Sequence, residues 1–317
     1  MRIVYFIILF TFVLNYAKNQ GLTNSLANIS HENLLDNPWF TVNQRGQSSY
    51  SLSANAYTVD RWKSLLTVGT MGIGVNSNGV QITETSNVDD GIFYQLISNQ
   101  SLLGGKTVTI SIDDGTNIYH ATGVTLSAKP VNWEYICAVE TTNGVKLELV
   151  QSPTFVTDYD FYFGIRVPKD GTAYTIKAVK LELGSVSTLA MDTAPNYQQE
   201  LAKCQRYFYR YKAAHTGFYF GLAIAWNTNK MSMILTVPCM RSTATITPSD
   251  FSDFLVSKGA SSVSPHNITN FENLGQSEQN HASGLLITTS ESDLTSGDIY
   301  VLKAVNSSAY IDFSADL

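Results

Sequence analysis

The sequence predicts an all-β protein built from two units. Only 15% of its residues are charged, whereas it contains 17 tyrosines, 15 phenylalanines and 21 glycines. Aromatic residues are enriched in strands, and glycine suits the turns that join them. Because a single core normally stops growing before a chain reaches 317 residues, two cores are expected.

Alternation of apolar and polar residues predicts the strands of the first unit. In 106–112, Val108 and Ile110 face one way while Thr107 and Thr109 face the other, and 145–149 and 161–167 alternate in the same manner. Turn sequences rich in Asp, Asn and Gly separate these segments. Short strands at such spacing predict a jelly-roll β-sandwich over 33–196.

The end of this unit carries two further signals. The apolar alternation changes phase within 174–183, which predicts a β-bulge near Ala178. After Pro195, the residues Tyr197, Leu201 and Cys204 recur at helical spacing. We therefore expect a short helical connector at 197–205.

Alternating segments resume beyond the connector and predict a second β-sandwich-like domain over 206–317. Residues 257–279 are an exception, because they are rich in Ser, Asn and Gly and show little periodicity. They are expected to form long surface loops, which often carry binding function.

Composition also excludes several classes of function. A formal charge of −6 offers no basic field for phosphate backbones, so nucleic-acid binding is not expected. Cys137, Cys204 and Cys239 are widely spaced, which favours free thiols over disulfides or a zinc site. The chain has no metalloprotease, serine-hydrolase or phosphate-loop motif, so it is predicted not to be an enzyme.

The N-terminal segment 1–32 combines an apolar leader with a polar linker. Residues 3–14 (IVYFIILFTFVL) follow a single Arg2 and are too few to span a bilayer comfortably. Three interpretations stay open: a secretory signal, a segment that docks on another subunit, or a start codon assigned too far upstream.

Three sequence blocks resemble a known family. Residues 33–46 (NLLDNPWFTVNQRG) with 57–62 (YTVDRW), the block 180–185 (KLELGS) continuing through 197–207, and the ending 310–317 (YIDFSADL) bracket nearly everything from Asn33 onward. They resemble bacteriophage tail-fibre and tail-appendage proteins that contain a jelly roll similar to carbohydrate-binding modules.

The resemblance implies a non-enzymatic virion component that attaches to glycans on bacterial surfaces. Its expected partners are other phage tail proteins and further copies of itself, as a homotrimer. Three alternatives remain: a secreted or surface-associated bacterial lectin, which the leader would suit; a depolymerase-like enzyme acting on the same polysaccharide, against which the short length and the absence of parallel β-helix repeats speak; and a purely structural tail or baseplate component.

Six residues are the candidate ligands. Trp62 and Asp60 suit sugar contact, with the ring as a stacking platform and the carboxylate as a hydroxyl acceptor, although a structural role in the sandwich core is favoured. Trp133 and Trp226 lie near predicted loops and are expected to be exposed. Asp36 and Glu182 are candidates for a structural Ca²⁺ site of the kind found in related jelly rolls, with solvated carboxylates as the alternative. No other cofactor is expected.

Overall fold

The fold is known from a computed structural model, which confirms the all-β class. It describes residues 31–52, 56–66, 68–85, 91–97, 103–127, 132, 134–151, 161–258, 265–277 and 282–315. The apolar leader therefore lies outside the described residues. Within them, no helix is both long enough and apolar enough to cross a membrane.

The first unit is assembled from three antiparallel sheets. Their strand orders are β1-β4-β5-β12, β2-β3-β6-β11-β10-β9 and β13-β7-β8. The strands are β1 Ser49–Leu52, β2 Ala56–Tyr57, β3 Lys63–Leu65, β4 Met71–Asn76, β5 Gly79–Glu84, β6 Ile92–Ile97, β7 Thr107–Asp113, β8 Ile118–Thr125, β9 Glu134–Glu140, β10 Lys146–Gln151, β11 Phe161–Arg166, β12 Tyr174–Ile176 and β13 Ala178–Leu183.

One apolar core joins these three sheets. The inward positions of the predicted strands, such as Val108, Leu147 and Phe163, are buried in it together with Trp62. The outward positions alternate with them, since a strand turns successive side chains to opposite faces. This is the sandwich-type packing that the alternation predicts.

The phase change within 174–183 has a different cause from the predicted bulge. Tyr174–Ile176 pairs with β5, whereas Ala178–Leu183 pairs with β7 in another sheet. Lys177 is the residue between the two strands, and its backbone N–H donates to the carbonyl of Asp113 at 2.9 Å. The bulge prediction was wrong because the chain changes sheets here, and each short strand keeps its own regular alternation.

A helix follows the first unit, as predicted. Helix α1 spans Tyr197–Gln205, after a 3₁₀ turn at Leu189–Met191. The Asn196 side chain accepts hydrogen bonds from the backbone N–H groups of Gln198 and Gln199, which have no partner within the helix.

The second unit combines a closed barrel with a small sheet. The barrel has the strand order β15-β16-β20-β19-β18-β21, and the sheet has the order β14-β22-β17. The strands are β14 Phe208–Lys212, β15 Tyr219–Ala225, β16 Lys230–Thr236, β17 Thr245–Pro248, β18 Phe254–Lys258, β19 His266–Ser277, β20 Ala282–Thr289, β21 Ile299–Ala304 and β22 Tyr310–Ser314, with a 3₁₀ turn at Phe251–Asp253 before β18.

Part of the segment predicted as surface loops is the longest strand of the barrel. Strand β19 pairs with β20 over most of its length, and its register shifts between Ile268 and Asn270 and again between Asn273 and Gly275. Each bulge adds a residue to one strand and so breaks the period of two. The loop prediction was wrong here because two bulges hide the alternation that identifies a strand.

The two units meet at a junction rich in arginine and aromatic residues. The Arg61 guanidinium lies 3.4 Å from the centroid of the Tyr207 ring, and that of Arg45 lies 3.7 Å from the centroid of Phe208. The Gln44 side-chain amide donates to the Phe208 carbonyl at 2.7 Å. Strand β14 therefore packs against both units.

Candidate functional site

The motif that contains Asp60 and Trp62 is buried and hydrogen-bonded to residues 37–44, and we name this arrangement the clip. Trp62 is fully buried, its Nε1 donates to the Asn37 carbonyl at 3.1 Å, and its ring stacks on Phe93 with centroids 5.1 Å apart. Asp60 is also fully buried and accepts hydrogen bonds from the backbone and side chain of Gln44 at 2.6 and 3.2 Å. A sugar at the surface has no access to either residue, so both have a structural role in the first unit.

Asp36 and Glu182 each have a protein cation beside them. Asp36 Oδ2 lies 3.0 Å from Nε of Arg61. Glu182 is fully buried, accepts the Thr188 backbone N–H at 2.8 Å and lies 3.7 Å from Nζ of Lys180. The described residues contain no group of three or more His, Cys, Asp or Glu side chains arranged to hold a metal ion. Asp36 is thus paired with an arginine and Glu182 with a lysine.

The two remaining tryptophans differ in what the structure describes. Trp226 lies in the turn between β15 and β16 and is 54% exposed, as its position near a loop predicts. Trp133 lies outside the described residues. Only Trp226 of the candidate aromatic residues is therefore available at the described surface.

A more complete site lies on the outer face of the six-stranded sheet. Strand β10 turns Leu147 and Leu149 into the core and turns Lys146 and Glu148 outward. On the neighbouring strand β11, Arg166 pairs in register with Lys146. The sheet register thus gathers polar side chains that are about 20 residues apart in sequence.

These side chains border a recess of about 370 Å³ where strand β10 begins and strand β11 ends. Nε of Arg166 lies 2.8 Å from Oε2 of Glu148, and Nη1 of Arg166 donates to the Gly91 carbonyl at 3.3 Å. Burial opposes the charge of Arg166, but its hydrogen bond and attraction to Glu148 outweigh burial and raise its pKa. The guanidinium therefore stays charged and held in place at the edge of the recess.

Glycine at position 91 makes room for a second carboxylate. Glu84 lines the same recess and is almost fully buried. A β-carbon at position 91 would overlap the Glu84 carboxylate, so only glycine lets this side chain occupy its position. The recess therefore combines two carboxylates, a guanidinium and the ammonium group of Lys146.

An exposed aromatic ring lies on the neighbouring strand β9, opposite Val150 and outside the lining of the recess. Tyr135 on β9 is 61% exposed, and burial of its hydroxyl, followed by the negative charge of Glu148, raises its pKa. The same sheet also carries Tyr162, which is partly buried and stacks on the buried ring of Tyr94 with centroids 4.7 Å apart. An aromatic surface next to hydrogen-bonding groups in a shallow recess is the combination that suits a pyranose ring.

No protein-family model, curated protein or solved structure matches this chain. The candidate site therefore rests on the geometry of the chain itself.

Sequence reasoning had no means of locating this site. Lys146, Glu148 and Arg166 occupy outward positions of two predicted strands, but the sequence identifies them only as members of a solvated face. Their grouping depends on the pairing of β10 with β11 and β9, in which Glu148 faces Gly164 and Val150 faces Tyr135. Periodicity shows which face a residue takes but not which residue lies opposite.

Proposed function

We propose that this chain is a non-enzymatic attachment protein that binds a glycan on a bacterial surface through the recess beside Tyr135. The observation that carries the proposal is the exposed Tyr135 ring on strand β9, which pairs with the strand that carries Glu148 of the Glu148–Arg166 ion pair. The ring offers an apolar face to a sugar, while the carboxylate and guanidinium accept from and donate to its hydroxyls. The resemblance to phage tail fibres supports a virion location with other tail proteins as partners.

Attachment through such a site depends on several copies acting together. A recess that is open to solvent binds one sugar weakly, but linked copies raise the effective affinity by roughly 10²–10⁴ without any new contact. The homotrimer expected from the resemblance would supply those copies. No chemical step is needed for this function.

The test is binding of the labelled full chain to a panel of bacterial strains, before and after periodate oxidation of their surface sugars. Strain-selective binding that oxidation abolishes would support glycan attachment. In that assay, Tyr135→Ala and Glu148→Gln should each weaken binding at least about tenfold, equivalent to about 1.4 kcal/mol. The matched control is Tyr197→Ala, because Tyr197 is a similarly exposed tyrosine on helix α1.

Three results would count against the proposal. Unchanged binding by Tyr135→Ala together with loss by Trp226→Ala would move the contact to the second unit. No binding to any strain by the folded chain would favour a purely structural tail component. Release of reducing sugars from the bound polysaccharide would contradict the non-enzymatic part of the proposal.

A further inference from the structure

The outer surface of the barrel has an aliphatic area that the proposed glycan site does not use. Ile224 on β15 pairs in register with Ile299 on β21 on one side and with Ser232 on β16 on the other. Leu222 is 63% exposed and Ile234 is 78% exposed. We use the name aliphatic wall for four exposed aliphatic side chains, Leu222, Ile224, Ile234 and Ile299, together with the exposed Tyr219 beside them.

The area of the wall is large for a surface that stays in water. At about 200 Å² for a fully exposed large side chain, the five residues expose roughly 600 Å². The largest apolar patch on a typical monomer measures about 300–600 Å² and is often functional. A stable protein interface covers about 800 Å² on each partner, so the area of the wall is similar to that of the apolar centre of one such interface.

The shape of the wall is self-complementary. Beside Leu222, the side chains of Tyr219 and Val301 border a recess of about 340 Å³ over Gly221. Ile234, on the adjacent strand β16, is the most exposed large apolar residue of the described chain. A projecting side chain and a recess on one surface allow Ile234 of one copy to enter the recess of the next, and such a head-to-tail contact can close into a ring such as the expected trimer.

The charge distribution favours a second copy over other occupants. None of the five wall residues is charged, so two walls can meet without burying an unpaired charge. Lys258 and Asp298, which flank the strand pair β18 and β21, are joined in an ion pair. Sugars are bound by aromatic rings flanked by polar groups, whereas the wall has a single ring, Tyr219, beside four aliphatic side chains. Anionic lipid is bound by clusters of Lys and Arg, and no wall residue is either of these.

We infer that the aliphatic wall is the surface on which a second copy of this chain docks. The inference deepens the proposed function, because it assigns a surface to the self-association on which multivalent attachment depends. The glycan recess lies on the other unit, so the two surfaces can be altered separately.

The experiment is light scattering of the full chain across a concentration series. The unaltered chain should show a mass that is a multiple of 34.9 kDa. Ile234→Asp should weaken self-association about 30-fold or more, because it places a charge at the centre of the contact. Val186→Asp is the matched control, since Val186 is an exposed aliphatic residue on the first unit.

Hydrogen exchange of the unaltered chain provides a second readout that does not depend on the folding of any variant. Amide groups of β15 and β16 should become more protected as the concentration rises. An unaltered chain that stays monomeric at about 100 μM, a concentration at which even weak complexes form, would overturn the inference. Equal self-association of the Ile234→Asp and Val186→Asp chains would also overturn it. So would protection of the wall amides that is the same at every concentration, which is the result expected if the chain's own apolar leader covered the wall.

The outcomes of the two proposals are distinguishable. Self-association is measured by light scattering without any glycan. If the chain does not self-associate, it should still bind a soluble sugar through the proposed recess. Conversely, Tyr135→Ala should lose binding while keeping its oligomeric mass.

Discussion

Individual residues of the clip between Asn37 and Trp62 carry unusual backbone conformations. Asn37, Phe40 and Arg61 have φ angles of 51°, 56° and 72°, in the left-handed region that residues with a β-carbon rarely adopt. The buried Asn37 side chain offsets this cost by donating to the carbonyls of Val42 and Asp60. The motif at 57–62 therefore belongs to a structural clip, and the proposed glycan site lies elsewhere.

A comparison of two tryptophans tests this structural role. Trp62→Ala should lower the free energy of unfolding by about 3–5 kcal/mol, because it empties a site at the centre of the first core. Trp226→Ala, at an exposed turn, should change it by less than about 0.5 kcal/mol. Urea unfolding measures both values. Equal effects of the two substitutions would contradict the assignment.

Two side chains, the buried Tyr50 and the partly buried Cys137, predict how stability depends on pH. Burial raises the pKa of Tyr50 to about 12 and that of Cys137 to about 11, from ordinary values of 10.0 and 9.0. A group whose pKa is higher in the folded state stabilises the fold below its unfolded pKa, and this contribution disappears as the pH rises through the folded pKa. Unfolding free energy should therefore fall as the pH rises above about 9.

The measurement is the urea midpoint at several pH values from 8 to about 11. Tyr50→Phe should flatten the part of the decline above the ordinary pKa of tyrosine, 10.0, since phenylalanine has no proton to lose. A midpoint that stays constant across the alkaline range would refute the prediction. Thiol reagents should also label Cys137 slowly in the folded chain, because only the thiolate reacts.

At the scale of elements, glycine determines how closely strands from different parts of the chain approach. Gly79 begins β5 with a φ of 111°, and a β-carbon there would overlap the carbonyl oxygen of Ile176 on β12. This contact is part of the pairing by which β12 completes the four-stranded sheet. A side chain at position 79 would therefore disturb a whole strand.

Gly79→Ala should lower the free energy of unfolding by more than about 3 kcal/mol, from backbone strain and overlap together. Gly297→Ala is the matched control, because Gly297 also has a positive φ, of 85°, but has open space around it. Strain alone should cost the control about 1–2 kcal/mol. If the two variants unfolded at the same urea concentration, the overlap would have no energetic consequence.

At the scale of the whole molecule, the cation–aromatic junction couples two separate cores. One apolar cluster runs from Leu35 to Leu181 and the other from Ala213 to Ala315. Arg210 binds Asp312 of its own unit through two contacts of 2.7 Å and donates across the junction to the Arg45 carbonyl at 2.7 Å. Guanidinium groups suit this position because they stack on rings while they donate in their own plane.

We expect the intact chain to unfold in a single calorimetric transition. Tyr207→Ala removes the ring that lies against Arg61 and should separate the transition into two, one for each core. Tyr197→Ala, at an exposed position of helix α1, should leave a single transition. Two transitions already present in the unaltered chain would show that the junction does not couple the units.

The sequence by itself determined the all-β class, the helix near 197–205 and the inward faces of several strands, because those features follow from local periods of two and 3.6 residues. Two bulges in β19 and the change of sheet at Lys177 interrupt these periods, so the predictions were wrong there.

Only the tertiary structure decided which residues became neighbours. Closure of the barrel, the recess beside Tyr135 and the aliphatic wall all depend on strand register, which joins residues distant in sequence. The burial of Asp60 and Trp62 depends in the same way on packing against Gln44 and Phe93. A local pattern shows which face a residue occupies, but its partner across that face is determined by the packing of the whole chain.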